Sequence, residues 1–404
     1  MKMKMENKII KKQIVFVEHP NTTYTYKIAR TLKLTGRYET VLITFSKVDK
    51  VFFNKAYDKI YEFELSHKAN FKNIFTFIKR ILNKDFRKFI KDIRKLNPYL
   101  FQITGPDLFN TIVMFILKDK PKIYFAYDIW AFNGKSFKYK KNQIKEFCQN
   151  RFEKMSFKKA DGILHKSVPK SLSLLDYLIN KPILAPGLLC LDEFVIPPKE
   201  KQKNKELNIV YAGGPEAECA WRASFLKLIK NITSQKIHVH TYGPCLDSKD
   251  NKRFIEEAKN NSYFHMHDRI NAEDLKKEIS NYDYGFVHAF LNDSRLDPRL
   301  KLTSLAHKMF DYIEVGIPII LGGSCKFVSE MIKENNIGVC VSYDDIKNLK
   351  QILNKIDYKA MQKTIKISQD KNKMSKKIKG FERFYELVVG NVNMRHKNDK
   401  SKCC

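Results

Sequence analysis

Gln13-Ile14-Val15-Phe16-Val17, the break at His19-Pro20-Asn21-Thr22-Thr23, a stretch from about Tyr24 to Leu34, and Val41-Leu42-Ile43-Thr44-Phe45 follow one another near the start of the chain. The two short apolar runs, rich in β-branched residues, read as buried strands. The Pro and Asn between them end the first strand, and the segment that follows has the length of a helix. A strand, a loop, a helix and a second strand in that order indicate a parallel, doubly wound sheet, whose ligand crevice opens at the C-terminal ends of the strands.

The same alternation continues through Leu100-Phe101-Gln102-Ile103-Thr104, Lys122-Ile123-Tyr124-Phe125-Ala126 and Gly162-Ile163-Leu164-His165. Ile196-Pro197-Pro198 and the charged run from Lys199 to Glu206 have no hydrophobic period and read as a connection. A second parallel set starts after it, with strands expected at Leu207-Asn208-Ile209-Val210-Tyr211-Ala212, Ile237 to Tyr242, Tyr284 to His288, Ile317 to Leu321 and Gly338 to Val341. The expected organisation is an N-terminal domain over 1–195, a linker over 196–206 and a C-terminal domain over 207–375. A helix over 376–393 crosses back to the first domain, and a disordered basic tail fills 394–404. Two such domains face each other across a cleft.

At 404 residues and 43% hydrophobic content the chain is long enough for two cores. Its formal charge of +31, from 75 Lys and Arg against 44 Asp and Glu, favours anionic partners without choosing among them. Eight cysteines without a CxxC pair argue for reduced thiols in the cytoplasm. The N-terminus has no apolar core of signal-peptide length, and no run reaches the roughly 18 apolar residues of a spanning helix. A solvated tail is the reading of Met394 to Cys404, ahead of lipidation at Cys403-Cys404.

From Lys68 to Lys95 ten Lys or Arg stand against Asp85 and Asp92 only, while Phe71, Phe75, Ile78, Leu82, Phe86, Phe89 and Ile93 recur at helical spacing. The apolar stripe reads as a core face. The basic face suits an anionic bilayer, where each cation near the surface contributes roughly 1 kcal/mol.

The chemistry concentrates in the second half. Gly213-Gly214-Pro215 closes a strand before a helix expected from about Glu216 to Ile229, a place where backbone approaches phosphate closely. Arg222 on that helix adds positive charge, and the block from Arg295 to Lys301 leads into Thr303-Ser304. In His307-Lys308-Met309-Phe310-Asp311-Tyr312-Ile313-Glu314-Val315-Gly316-Ile317-Pro318, helical spacing puts Lys308 and Asp311 on one face. Such a pair can grip a diphosphate with its cation and ribose hydroxyls with its carboxylate. An intrahelical ion pair on a surface helix has the same spacing. His238, His240, His265 and His267 alternate in strand-like segments, but no Cys or carboxylate completes a metal set, so they read as structural.

These residues resemble the GT-B glycosyltransferases, in particular the retaining group that includes family 4, over nearly the whole length. Lys308, Asp311, Tyr312, Gly316 and Pro318 follow the spacing of that group's K-x-x-E-Y-x-x-x-G-x-P motif. Asp311 stands where Glu is usual, and Thr303 where many relatives carry an earlier acidic residue. Ala160 to Ser167, Ala185-Pro186-Gly187-Leu188 with Phe194, and Ile209 to Gly214 resemble further family segments in the same order. Tyr127-Asp128-Ile129-Trp130 is similar to a motif at the N-domain side of the cleft, with Ala131 in place of the usual Pro.

The resemblance implies an α/β fold of GT-B type and transfer of a sugar from a nucleoside diphosphate sugar to a glycan or lipid-linked acceptor, with retention and without a metal or other cofactor. It implies surface polysaccharide or glycoconjugate synthesis, in the cytoplasm or on the inner face of the membrane. Lys308 and Arg222 would stabilise the leaving diphosphate, and Asp128 would orient the acceptor or transferred sugar, unless it simply caps the next helix. Gly213, Gly214, Thr303, Ser304, Lys308 and Asp311 would hold the donor, and His19, Asn21, Thr22 and Trp130 the acceptor. The alternatives are a nucleotide-sugar epimerase of the same fold and a nucleic-acid-binding protein. The second lacks any nucleic-acid-binding signature in this sequence, so no nucleic acid is expected.

Overall fold

The computed structural model describes residues 11–18, 23–63, 84–105, 108–126, 143–170, 180–200, 206–217, 223–290, 302, 305–323 and 325–401. The chain forms two compact units. The first comprises Met1–Lys166, Leu175–Ala185 and Lys377–Cys404, the second Ser167–Leu174 and Pro186–Lys376.

The first unit holds a sheet of seven parallel strands: β1 (Lys12–Val17), β2 (Tyr38–Thr44), β3 (Lys59–Glu62), β4 (Leu100–Gly105), β5 (Lys122–Ala126), β6 (Gly162–His165) and β7 (Ile183–Leu184). Their order is β3-β2-β1-β4-β5-β6-β7. Ile14 to Val17 are fully buried, as a strand covered on both faces requires. The helix Thr23–Leu34 joins β1 to β2 as the opening residues predict.

Only the C-terminal part of the basic segment lies within the described residues, as the helix Lys84–Lys95. Its Phe86, Phe89 and Ile93 are buried, with the Phe89 ring 4.3 Å from that of Phe63 and 5.4 Å from that of Phe45. That part of the stripe is therefore core. Among the described residues no helix is long and apolar enough to cross a membrane.

The chain returns to the first unit in the long helix Met374–Ser401, so the stretch from Met394 expected as disordered tail is helical as far as Ser401. No helix breaker interrupts it there, and Arg395 pairs with the buried Asp161 carboxylate. Phe381, Phe384, Tyr385, Val388 and Val392 form its buried face. The Tyr385 hydroxyl donates to Gln102 Oε1 on β4 at 2.8 Å.

The second unit holds six parallel strands: β8 (Asn208–Tyr211), β9 (His238–Tyr242), β10 (Phe264–His267), β11 (Tyr284–Ala289), β12 (Ile319–Gly323) and β13 (Gly338–Val341). Their order is β10-β9-β8-β11-β12-β13, so the direction of winding reverses between β8 and β11. The units divide at Ala185 and Pro186 rather than at the expected 196, because Cys190 and Leu191 already bond to the second unit. Cys190 N–H donates to Asn372 O at 2.9 Å, and Leu191 N–H to Glu314 Oε1 at 2.7 Å.

In the stretch expected as a helix from Glu216 to Ile229, the described helix is Phe225–Thr233, and residues 218–222 lie outside the described residues. Ser224 fixes that start by accepting from Lys227 N–H, and Pro215 to Ala217 are irregular.

Candidate functional site

The winding reversal creates a gap at the C-terminal ends of β8 and β11, and one tyrosine organises it. β8 and β11 pair only at Tyr284 with Ile209 and Gly285 with Val210. Beyond that, the buried Tyr312 hydroxyl accepts Ala212 N–H at 2.9 Å and is shared as donor between Phe286 O at 3.0 Å and Val210 O at 3.2 Å. Burial raises the phenol well above its ordinary pKa, so it stays a donor. The ring lies on Gly285, where an added Cβ would come within 2.2 Å of it. A glycine in mid-strand is what lets the helix His307–Glu314 sit this close to the sheet.

Gly316 ends that helix. Its φ of +76° suits the residue after a helix, and a Cβ there would meet Pro198 N at 2.6 Å. Gln369 Nε2 donates to the carbonyls of Ile313 and Glu314 at 2.9 and 3.0 Å, satisfying the last turn. At the other end the N-cap is Ala306, which has no side-chain oxygen to offer the first-turn N–H groups. Among the described residues, the helix N-terminus nearest in this region is the one carrying Lys308, since the Phe225–Thr233 helix starts far along the chain from Gly214.

Tyr312 thereby brings Lys308 to the glycine turn. The Lys308 ammonium lies 4.2 Å from the Tyr211 ring centroid, and a Cβ on Gly213 would sit 3.7 Å from Lys308 Cε and 4.0 Å from its Nζ. Gly213 has φ +125°, a conformation side chains rarely adopt, and a Cβ on Gly214 would collide with Pro244 O at 2.2 Å. Tyr242 N–H donates to Gly213 O at 2.9 Å, fixing the turn to β9.

Asp311 sits on the same helix, but its contact is with the buried Lys276, which also pairs with Glu314 Oε2 at 2.5 Å. Burial pulls the Lys276 pKa down, and the carboxylates of Asp311 and Glu314 outweigh it and hold the ammonium above its ordinary value. Glu314 is fully enclosed, whereas Asp311 keeps 16% of its side chain accessible.

Four further residues complete the site without having been singled out in the sequence: Tyr211, Glu216, Lys276 and His288. The Tyr211 hydroxyl donates to Glu216 Oε1, and Glu216 Oε2 lies 3.1 Å from His288 Nδ1. A carboxylate only accepts, so His288 carries its proton on Nδ1. Among the described residues its buried Nε2 finds no hydrogen-bond partner. The only signals in the sequence were the placement of Tyr211 and Glu216 on either side of the glycine pair and of His288 near a strand end.

Beside this cluster a cavity of about 550 Å³ is lined by Phe290, Gly323, Lys326, Ser329, Lys333 and Tyr343, among others, at the ends of β11, β12 and β13. Of the expected site residues, the structure brings together Gly213, Gly214 and Lys308, with Asp311 on the same helix. His19, Asn21, Thr22, Asp128, Trp130, Arg222, Thr303 and Ser304 lie outside the described residues.

Residues 209–380 match the family model described as Glucosyltransferase 3-like, C-terminal domain. No curated protein shows a significant match to the sequence. Among solved structures, sucrose-phosphate synthase from Thermosynechococcus elongatus superposes with a TM-score of 0.60 at 12% identity, covering 97% of this chain and all of that one. TcCGT1, solved in complex with UDP, gives 0.57 at 11% identity over 96% of this chain and 100% of that one. A UDP-N-acetylglucosamine 2-epimerase from Listeria monocytogenes, itself so described as putative, gives 0.56 at 11% over 88% and 91%. The fold is of GT-B type, with two Rossmann-like units.

Proposed function

We propose that this chain, a glycosyltransferase, moves a sugar from a nucleoside diphosphate sugar to a glycan or lipid-linked acceptor, with retention and without a metal at the reacting centre. The observation that carries this is the Lys308 ammonium set against Tyr211 and Gly213, where the sheet reverses its winding. Negative charge grows on the diphosphate as the glycosidic bond breaks. A fixed cation and the positive N-terminal end of the His307–Glu314 helix dipole stabilise it there.

In this reading Gly213 and Gly214 let the backbone approach the diphosphate, and the accessible oxygen of Asp311 takes a ribose hydroxyl. Arg222, Thr303 and Ser304 complete the anion grip. Asp128 orients the sugar, and His19, Asn21, Thr22 and Trp130 face the acceptor. The 550 Å³ cavity beside Phe290 has room for part of the donor. The Lys68 to Lys95 segment holds the enzyme at an anionic inner membrane face, where surface polysaccharide or glycoconjugate would be built. Sedimentation with anionic and neutral liposomes tests that part separately, and equal binding to both would remove it.

Screening nucleoside diphosphate sugars by thermal shift, followed by NMR of the product, tests the central reading. One donor should stabilise the protein, and the product should be a glycoside of retained configuration rather than an epimerised nucleotide sugar. Lys308→Ala should weaken that donor by about 10- to 100-fold, the scale of a lost charge-assisted contact, with the melting temperature of the free protein unchanged. Donor binding that survives Lys308→Ala at full strength would refute the assignment.

A further inference from the structure

β9 and β10 pair in parallel with His265 opposite His240. Side chains two apart in a strand share a face, so His238 and His240 on one strand and His265 and His267 on its neighbour line a single face at the sheet edge. His240 stacks on His265 with centroids 4.4 Å apart, and His238 lies 5.1 Å from His265. His238 Nδ1 approaches His265 Nε2 to 2.9 Å, and His240 Nδ1 approaches His267 Nε2 to the same distance.

We propose that His238, His240 and His265 bind one divalent transition-metal ion of the zinc type. One nitrogen from each of the three lies within 4.8 Å of the other two. Zinc–nitrogen bonds of about 2.0–2.1 Å place tetrahedral ligand atoms roughly 3.3 Å apart, so the stacked rings must tilt toward one another to close the set on an ion. Glu206 Oε2 sits 2.7 Å from His238 Nε2. It accepts a hydrogen bond from Nε2–H, so that the proton stays on Nε2 and the Nδ1 lone pair is left for the ion, as carboxylates behind metal-bound histidines do.

His265 Nε2 becomes a ligand by moving its proton to Nδ1, with no net change in charge. His240 exchanges its bond to His267, or the one to Asn208 Oδ1 at 3.2 Å, for the ion. Three neutral imidazoles leave a fourth position for water or an outside ligand, and they suit zinc, cobalt or nickel far better than magnesium or calcium. The ion would tie the edge strand β10 to β9, the strand whose end anchors the Gly213 turn.

Titration with Co²⁺ of the untagged full chain, carrying Cys403→Ser and Cys404→Ser to remove the terminal thiols, tests this directly. Saturation at one equivalent with visible d–d bands, reversed by Zn²⁺, is expected. His238→Gln and His265→Gln should each weaken binding by about 10-fold or more, and Glu206→Gln by about 10-fold. His396→Gln, on the Met374–Ser401 helix, should leave it unchanged. Should a histidine variant fail to fold, Glu206→Gln still decides, because that carboxylate side chain is 53% exposed. Absence of saturation at one equivalent, or equal affinity in His238→Gln, His265→Gln and Glu206→Gln, overturns the proposal and leaves a hydrogen-bonded imidazole ladder.

Discussion

Tyr312 shows how a single side chain converts a sheet reversal into a site. Its ring needs the bare backbone of Gly285, and its hydroxyl occupies the N–H and carbonyl groups that β8 and β11 leave open where they part. Both requirements place Lys308, four residues earlier on the same helix, over Tyr211. The spacing of Lys308, Asp311 and Gly316 was legible because helix geometry is local. The partnership of Asp311 with Lys276 was not, since it joins side chains 35 positions apart whose meeting depends on how two helices pack. Gly285→Ala should force the Tyr312 ring off the strand. The expected loss is about 1–3 kcal/mol in urea unfolding, as for other overpacked cores, with donor affinity falling in step because Lys308 moves with the helix. An alanine variant of undiminished stability and affinity would show that the ring does not set the helix position.

At the scale of elements, strands were easier to read than helix starts. Continuous apolar runs such as Ile14 to Val17 or Ile123 to Ala126 have few alternatives. The start of the helix at Phe225 is set by the Ser224 side chain, a single capping contact that apolar spacing does not register, and Glu216 and Ala217 are not helical. The four histidines read as structural because no Cys or carboxylate in the sequence completes a metal set; the register that brings β9 beside β10, and Glu206 to His238, belongs to the fold. That register also makes an acid-sensitive element. Burial, reinforced by the neighbouring imidazoles of His265, His267 and His238, lowers the His240 pKa from 6.5 to about 3, and burial lowers that of His265. Unfolded chain therefore binds protons that the folded strands refuse. In chelator, the stability contributed by neutral His240 should be complete above pH 6.5 and be lost progressively as pH falls toward 3. Urea midpoints at pH 7 and pH 4.5 measure it: His240→Gln should flatten the decline, and an unchanged slope would place the acid sensitivity elsewhere.

For the whole molecule, the alternation of strands and helices already specified two doubly wound sheets, but not where the chain passes between them. The proline-rich stretch at Ile196 looked like a boundary because it lacks hydrophobic period. Yet Ile196 N–H is already bonded to Glu314 O, and Pro198 packs on Gly316, so the stretch supports the helix that carries Lys308. The C-terminal helix is the larger consequence of this routing. Phe381, Phe384, Tyr385, Val388 and Val392 are buried in the first unit although they follow the second in sequence. At about 1.5–3 kcal/mol for each large apolar side chain, treated as an upper bound, their burial approaches the 5–15 kcal/mol that typically separates folded from unfolded domains. A chain ending at Lys376 should therefore lose the first unit while its second unit still folds. Hydrogen exchange should show β1 to β6 unprotected and β8 to β13 protected. Nucleotide, the part of the donor held within the second unit, should still bind, while sugar transfer is abolished. Protection that persists in β1 and β4 without residues 377–404 would mean that the first unit does not need the returning helix.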